Sequence, residues 1–415
     1  MTSSFDVIIV GGGASGLFAA VHCARGGKRT AVFERNSECG KKLDITGKGR
    51  CNMTNDCTRE EFLANVPTNA RFLTGAVSRF SPADTVEFFE SLGVRTKVER
   101  GRRVFPQSDR AHDVTLALVN ECRRLGVRFI HGFVTHIRAP EGRVEGVVCG
   151  GAFYSAQTVI LCTGGASYPR TGSDGNGYRL ASELGHTVTK VRPSLVPLVS
   201  GDKLCRDCMG LSLKNVGVSL FSHNGAELFS EQGEMLFTHF GVSGPCVLSA
   251  SAYAGGAFPC VLRIDLKPAL DEKTLDRRIL RDFAEKSNRE LKNALDGLLP
   301  QKLIAPFIAR SGIDPRTPVN SVTKEQRAKL VSLFKALDIN ISGTRPIAEA
   351  IITSGGVSVK EIDPKNMGSK LVKGLRFAGE IIDVDAYTGG FNLQIAFATA
   401  YSAATQPDGE KQKTE

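Results

Sequence analysis

The feature that most restricts the fold of this chain lies within its first twenty residues: Gly11-x-Gly13-x-x-Gly16. It follows Phe5-Asp-Val-Ile-Ile-Val10, a short β-branched apolar run of the kind buried on both faces of a parallel sheet. It precedes an Ala- and Leu-rich stretch, 14 to 26, that reads as a helix ending at Gly26-Gly27, and then a second strand, Thr30-Ala-Val-Phe-Glu34. In that context Gly11 permits a tight turn, Gly13 lets backbone approach a pyrophosphate, and Gly16 lets helix pack on strand. The pyrophosphate is expected at the helix N-terminus, over Ala14 and Ser15, where free N–H groups and the helix dipole favour an anion. Glu34 ends the second strand, where a carboxylate accepts hydrogen bonds from ribose hydroxyls and repels a 2′-phosphate. Arg35 adjoins the same end.

At 415 residues the chain exceeds what one core supports, so two or three domains are expected. After Pro193 the strand-helix texture gives way to short alternating runs such as Val216-Gly-Val-Ser-Leu-Phe and Val261-Leu-Arg-Ile-Asp-Leu, which suggest an antiparallel sheet or small barrel. From Asp271 the period becomes helical, with Leu275, Ile279 and Phe283 on one stripe, and Thr323-Lys-Glu-Gln326 has capping-box spacing. The expected segments are a nucleotide domain 1–192, a β-rich insertion 193–269, a helical insertion 270–338, a β-rich return 339–366, a second nucleotide part 367–405, and a polar tail 406–415.

The charge of +10 resides in 53 Lys and Arg that are mostly scattered, with dense clusters only at Arg100–Arg103 and Lys273–Arg281. It reads as a solvated basic surface, so no nucleic-acid partner is expected. No apolar run approaches the ~20 residues of a membrane span. Eleven cysteines spread along so long a chain read as reduced thiols, and a cytoplasmic location is expected. Cys205-x-x-Cys208 lacks the second pair that a structural zinc requires, and Cys51 and Cys57 lack the spacing of a flavin disulfide pair. Gly172-Ser-Asp-Gly-Asn-Gly177 lacks the terminal glutamate of a calcium loop. No metal is expected.

The far end decides between NAD and FAD. Phe377-Ala-Gly-Glu380, Asp383 and Thr388-Gly-Gly-Phe-Asn-Leu-Gln394 lead into a helix, 395 to 404. A helix N-terminus carrying Gly389 and Gly390, with Asn392 and Leu393 after them, can aim N–H groups at a flavin N1, where negative charge gathers on reduction. The acidic Glu380 and Asp383 can hold ribityl hydroxyls, and Gly379 beside them is a further expected cofactor contact. An NAD dehydrogenase needs no such return.

These stretches, with Gly40-Lys-Lys42, Thr46-Gly-Lys-Gly-Arg-Cys-Asn52, Glu234 to Pro245 and Thr353-Ser-Gly-Gly-Val357, resemble the bacterial flavoprotein family that includes BaiN-type 3-dehydro-bile-acid reductase and aminoacetone oxidase. Phe391 and Ile45 depart from its commoner Tyr and Ser. The resemblance implies an α/β fold: a Rossmann-type FAD-binding domain with an inserted β-barrel-like domain and a small inserted helical domain. It also implies that Thr46, Gly47, Gly49, Arg50, Cys51 and Asn52 run along the flavin, with Lys42 or Arg50 neutralising pyrophosphate and Cys51 packing rather than attacking. Val134 and the Thr163-Gly164 turn after the strand Thr158–Cys162 complete the expected FAD contacts.

His239, Tyr168 and Arg170 are the candidates for chemistry, each weighed against a packing role. The expected function is FAD-dependent reduction of a conjugated ketone, such as a 3-dehydro bile acid, with NADH or NADPH as transient donor. The alternative is an FAD-dependent oxidase of aminoacetone or a similar small amine. A flavoprotein modifying tRNA shares the cofactor fold, but the motif set points elsewhere.

Overall fold

A computed structural model describes residues 4–407 and divides the chain into two compact units, one up to Ser194 and again from Ile347, the other Leu195–Pro346. Of the expected polar tail, residues 408–415 lie outside the described residues.

The first unit is built on a mostly parallel sheet. Arg128–His131, Thr30–Glu34, Ser4–Val10 and Ala152–Leu161 lie side by side in that order, all parallel. Leu375–Phe377 adds a parallel neighbour to the far half of Ala152–Leu161, whose near half pairs antiparallel with Gly146–Cys149. Ile8 and Ile9 are wholly buried, which explains why the first strand is apolar without alternation. The first helix, Ala14–Arg25, packs beside the last, Phe391–Thr405, with Phe18 and Phe397 ring centroids 5.0 Å apart. The two ends of the chain thus form one layer.

His22 sits in that layer against Phe18, Phe88 and Tyr401, and its Nε2 is sealed from solvent without a partner among the described residues. Burial, reinforced by nearby Arg25, pulls its pKa down from 6.5 to about 3. The unfolded chain therefore takes up a proton first as pH falls through 6.5, and stability drops from there toward the folded value. Between pH 7 and pH 5 this one group is expected to cost about 2 kcal/mol. Urea titrations of wild type and His22→Phe at both pH values check it: the variant should lose that part of the acid sensitivity, and equal slopes would refute it.

In the second unit, an antiparallel sheet runs Leu337–Ile341, Cys260–Asp265, Ser212–Ser222, Glu227–Thr238, Gly241–Ser243, Leu198–Val199, Gly343–Thr344. Its two end strands are consecutive in the chain, separated by Ser342 alone, so the sheet curls until its ends meet. Helices Glu272–Glu285, Gln301–Ser311 and Lys324–Lys335 lie between two neighbouring strands in sequence. Their buried stripes, including Ile279, Phe307 and Phe334, share one core with Leu262, Ile264 and Ile339 of the sheet. The helical segment 270–338 is therefore part of the second unit rather than a body of its own. Residues 347–366 belong to the first unit, where Ile352–Ser354 pairs with Arg192–Ser194, and not to the β-rich insertion.

Candidate functional site

The first unit holds a cavity of about 1310 Å³, the open solvent at its mouth included. Its wall begins at the glycine turn. Gly11 has φ +106, and a Cβ there would lie 2.5 Å from the Cys162 carbonyl oxygen. At Gly16 a Cβ would lie 1.8 Å from the Gly11 oxygen, so this glycine sits behind the helix as a packing contact and not on the cavity wall. Gly13 differs: a Cβ would meet nothing within 4 Å, and no side chain caps the helix N-terminus it begins. The free N–H groups of Ala14 and Ser15 thus border open space, the arrangement an anion requires.

Glu34 is pinned beside this turn. One carboxylate oxygen accepts from Gly12 N (2.7 Å), the other from Asn36 N (2.7 Å) and Asn36 Nδ2 (2.8 Å). A carboxylate offers about four lone-pair positions, which leaves room for a ribose hydroxyl. Arg35 pairs with Asp174 and lays its guanidinium 4.8 Å over the half-exposed Phe133 ring. Phe133, Asn36, Ser173, Asp174 and Asn176 line this end of the cavity. None was picked out from sequence, although the glycine-rich run 172–177 was the available signal.

Farther along the wall, Lys42 Nζ donates to Glu380 Oε2 (2.6 Å) and Ser167 Oγ (2.7 Å). Glu380 Oε1 also accepts from Thr353 N (2.8 Å) and Ser167 Oγ (3.0 Å). Lys42 therefore carries a compensated charge, not a free one for pyrophosphate. Thr46, Val134, Thr163, Gly164, Asn392 and Leu393 line the same cavity. Thr163 Oγ1 is buried with no partner among the described residues and faces Gly177, where a Cβ would lie 1.9 Å from it.

Several expected contacts are not on the wall. Arg50 is engaged elsewhere: it pairs with Glu99 and Asp109, stacks 4.3 Å over Phe105 and is not among the residues that line the cavity. With its amide oxygen turned toward the donor, Asn52 accepts from Gly390 N (3.0 Å) and donates to Thr54 O (3.1 Å). The Gly390 N–H is thereby occupied, and neither Gly389 nor Gly390 is among the residues that line the cavity. The helix end nevertheless faces the cavity through Asn392 and Leu393. Gly47, Lys48, Gly49 and Cys51 all have φ between +56 and +83, a left-handed loop packed on Phe105. Cys51 is fully buried, and burial pushes its thiol up to about 12, which leaves it unreactive. Gly379 supports the wall from behind, where a Cβ would strike Ser15 Oγ at 2.6 Å. Burial raises the Asp383 carboxyl, which is taken up by Thr189 and Asn69.

Of the three candidates for chemistry, two lie in the first unit and one in the second. Tyr168 is half-buried with φ +53, Arg170 is exposed, and neither lines the cavity. His239 is exposed in the second unit, its ring edge-on to Phe240 at 4.9 Å. Cys205 and Cys208 are buried in the second unit, where burial pushes both thiols up to about 11, and all eleven cysteines are free. Among the described residues no helix is long and apolar enough to cross a membrane.

Residues 5–406 match the family model described as the HI0933-like protein Rossmann domain. The 3-dehydro-bile acid delta(4,6)-reductase of Clostridium scindens is 32% identical over 95% of this chain and 97% of its own length. The ribosomal RNA dihydrouridine synthase of Escherichia coli is 29% identical over 96% of this chain and 97% of its own. Among solved structures, 3-ketosteroid-delta4-(5alpha)-dehydrogenase from Rhodococcus jostii RHA1 superposes with a TM-score of 0.52 at 16% identity, covering 97% of both chains, which speaks to the fold.

Proposed function

Because this chain belongs to the HI0933-like Rossmann-domain family of FAD-dependent oxidoreductases, we propose that it reduces a carbon–carbon double bond conjugated to a carbonyl, with NADH or NADPH as donor. The observation that carries this reading is the end-to-end match to a reductase named for such a bond in a bile acid. FAD, when bound, supplies the hydride chemistry; the chain supplies place and field.

In this reading the helix start at Gly13, Ala14 and Ser15 holds the pyrophosphate and Glu34 a ribose hydroxyl. The Lys42–Glu380 pair holds the polar chain between them. Lys42 retains one donor beyond its two protein bonds, and Glu380 one accepting position, so each can take a ribityl hydroxyl without breaking the pair. The first turn of the Phe391–Thr405 helix presents its positive end to the ring.

A second reading keeps the reaction and changes the substrate. The 5,6 double bond of uracil is also conjugated to a carbonyl, and the E. coli relative is named for ribosomal RNA. The net charge of +10 suits that partner.

Anaerobic stopped-flow tests the proposal by following the flavin's visible absorbance. NADH or NADPH should bleach the purified protein, and a steroid 4-en-3-one should restore the colour. Bleaching by aminoacetone alone would replace the reductase with the amine oxidase.

A further inference from the structure

The Arg100–Arg103 cluster is one part of the molecule the cofactor site does not use. It forms the tip of a hairpin in the first unit, Thr96–Glu99 against Arg103–Pro106, with a third short strand, Thr54–Asn55, on the other side of Arg103–Pro106. Lys97, Glu99, Arg103 and Phe105 are cross-strand partners on one face, since Lys97 opposes Phe105 and Glu99 opposes Arg103. The left-handed loop of Gly47 and Arg50 packs on that face, against Phe105.

The charges there do not cancel. Glu99 and Asp109 are the carboxylates of the hairpin, and both are taken by Arg50 and Lys97. Arg102 pairs with Glu61. Arg95, Arg100 and Arg103 are exposed and have no carboxylate partner among the described residues; Arg103 bonds only to the Arg100 carbonyl and leans over Phe105 at 5.7 Å. Lys48, exposed at the crest of the loop, is a fourth such cation.

The hairpin is also tied to the cavity. Buried Asn55 donates through Nδ2 to Gly101 O at the hairpin tip (3.0 Å) and to Gly389 O at the start of the last helix (3.1 Å). One amide thus joins the cationic tip to the helix whose first turn lines the cavity. Thr46, at the other end of the Lys48 loop, lines it too.

We propose that this hairpin is an RNA-docking surface, in which Arg95, Arg100 and Arg103 hold backbone phosphates beside the Gly47–Arg50 loop. The proposal rests on the second reading above, a uracil in ribosomal RNA as substrate. Guanidinium groups match phosphate oxygens in bidentate geometry and need no base contact, so they would fix position while the cavity selects the base. The other dense cluster, Lys273–Arg281, lies in the second unit, and part of its charge is drawn to Asp282 by Arg278 and Arg281.

Filter binding of the FAD-loaded full chain to an unmodified ribosomal RNA transcript over a salt series tests this. Arg95→Gln/Arg100→Gln/Arg103→Gln should weaken binding at least about tenfold and flatten the salt slope by about 2, since each phosphate contact to single strands contributes roughly 0.7. The double variant Arg95→Gln/Arg100→Gln, which spares the Phe105 contact, should fall between. FAD content and anaerobic bleaching of the flavin by NADH or NADPH should stay at wild-type values, and Lys273→Gln/Arg277→Gln/Arg281→Gln should bind as wild type does. If wild type fails to hold RNA at moderate salt, the RNA reading falls with the proposal. If wild type binds and the hairpin variants bind equally, or the Lys273 variant loses as much, the hairpin assignment alone is overturned.

Discussion

Gly16→Ala should yield a colourless protein, while Gly13→Ala, three residues earlier, should yield a well-folded one that holds FAD weakly. The added methyl at Gly16 falls 1.8 Å from the Gly11 carbonyl oxygen, a backbone atom with nowhere to go. The first helix must move away from the turn, and overpacking of even ordinary severity costs about 1–3 kcal/mol. Moving the helix also withdraws its N–H groups from the anion, each worth about 1.5–3 kcal/mol when charged, so affinity should fall roughly a hundredfold or more. At Gly13 φ is −82° and the methyl meets nothing, so the apo fold should be as stable as wild type or slightly better. The methyl occupies ligand space instead. Absorbance ratios of purified proteins and thermal melts of their apo forms separate the two. Full flavin content in Gly16→Ala, or a destabilised apo Gly13→Ala, would show that the two glycines have been assigned the wrong roles.

The second large effect is expected at Gln394. Its side chain is fully buried in the last helix, with Oε1 accepting from Thr54 Oγ1 (2.7 Å) and Thr85 Oγ1 (2.6 Å) and Nε2 donating to Phe80 O (3.0 Å). Gln394→Leu keeps the volume and removes all three bonds. The Thr54 hydroxyl and the Phe80 carbonyl are left orphaned in a dry site and the Thr85 hydroxyl keeps only a long 3.4 Å bond to Ser81 O, each loss costing about 1–3 kcal/mol. The sum is on the order of 4 kcal/mol, large for any single substitution. Thermal unfolding of the FAD-loaded protein should show it directly, with a lower midpoint and easier loss of flavin. An unchanged midpoint would mean that the three groups find water, and that the last helix is held by its apolar packing alone.

The parts of this architecture that sequence revealed are those encoded within a dozen residues. A strand, three glycines and a helix are adjacent in the chain, and each glycine's role follows from its offset. Glu34 follows from the length of one βαβ unit. The Thr323–Gln326 cap was equally local and is present. The misread roles depend on partners far away in the chain. Arg50 looked available because Glu99 and Asp109 lie 49 and 59 residues later. Gly390 looked like an N–H donor for a ligand because the amide oxygen that accepts its hydrogen bond belongs to Asn52. Periodicity marked Leu275, Ile279 and Phe283 as one stripe, but not that the stripe would join the core of the antiparallel sheet. The Phe133 end stayed invisible because a single aromatic between two short strands has no pattern to announce it.

The order in which the site's pieces leave the ribosome follows from the two-ended unit. Residues 10 to 46 emerge early, yet Glu380, Asn392 and Leu393 emerge after more than three hundred others. Throughout that interval the Val159–Leu161 edge waits for Leu375–Phe377, and an unpaired edge strand is an invitation to foreign chains. The antiparallel unit, whose strands and helices all lie between 195 and 346, can fold on its own in the meantime. If FAD is held by both ends, as the proposed reading has it, its stabilisation by mass action reaches only chains whose last helix is in place. A flavin held in this protein is therefore a receipt for translation carried through the closing helix, and a nascent chain stalled before it remains without one.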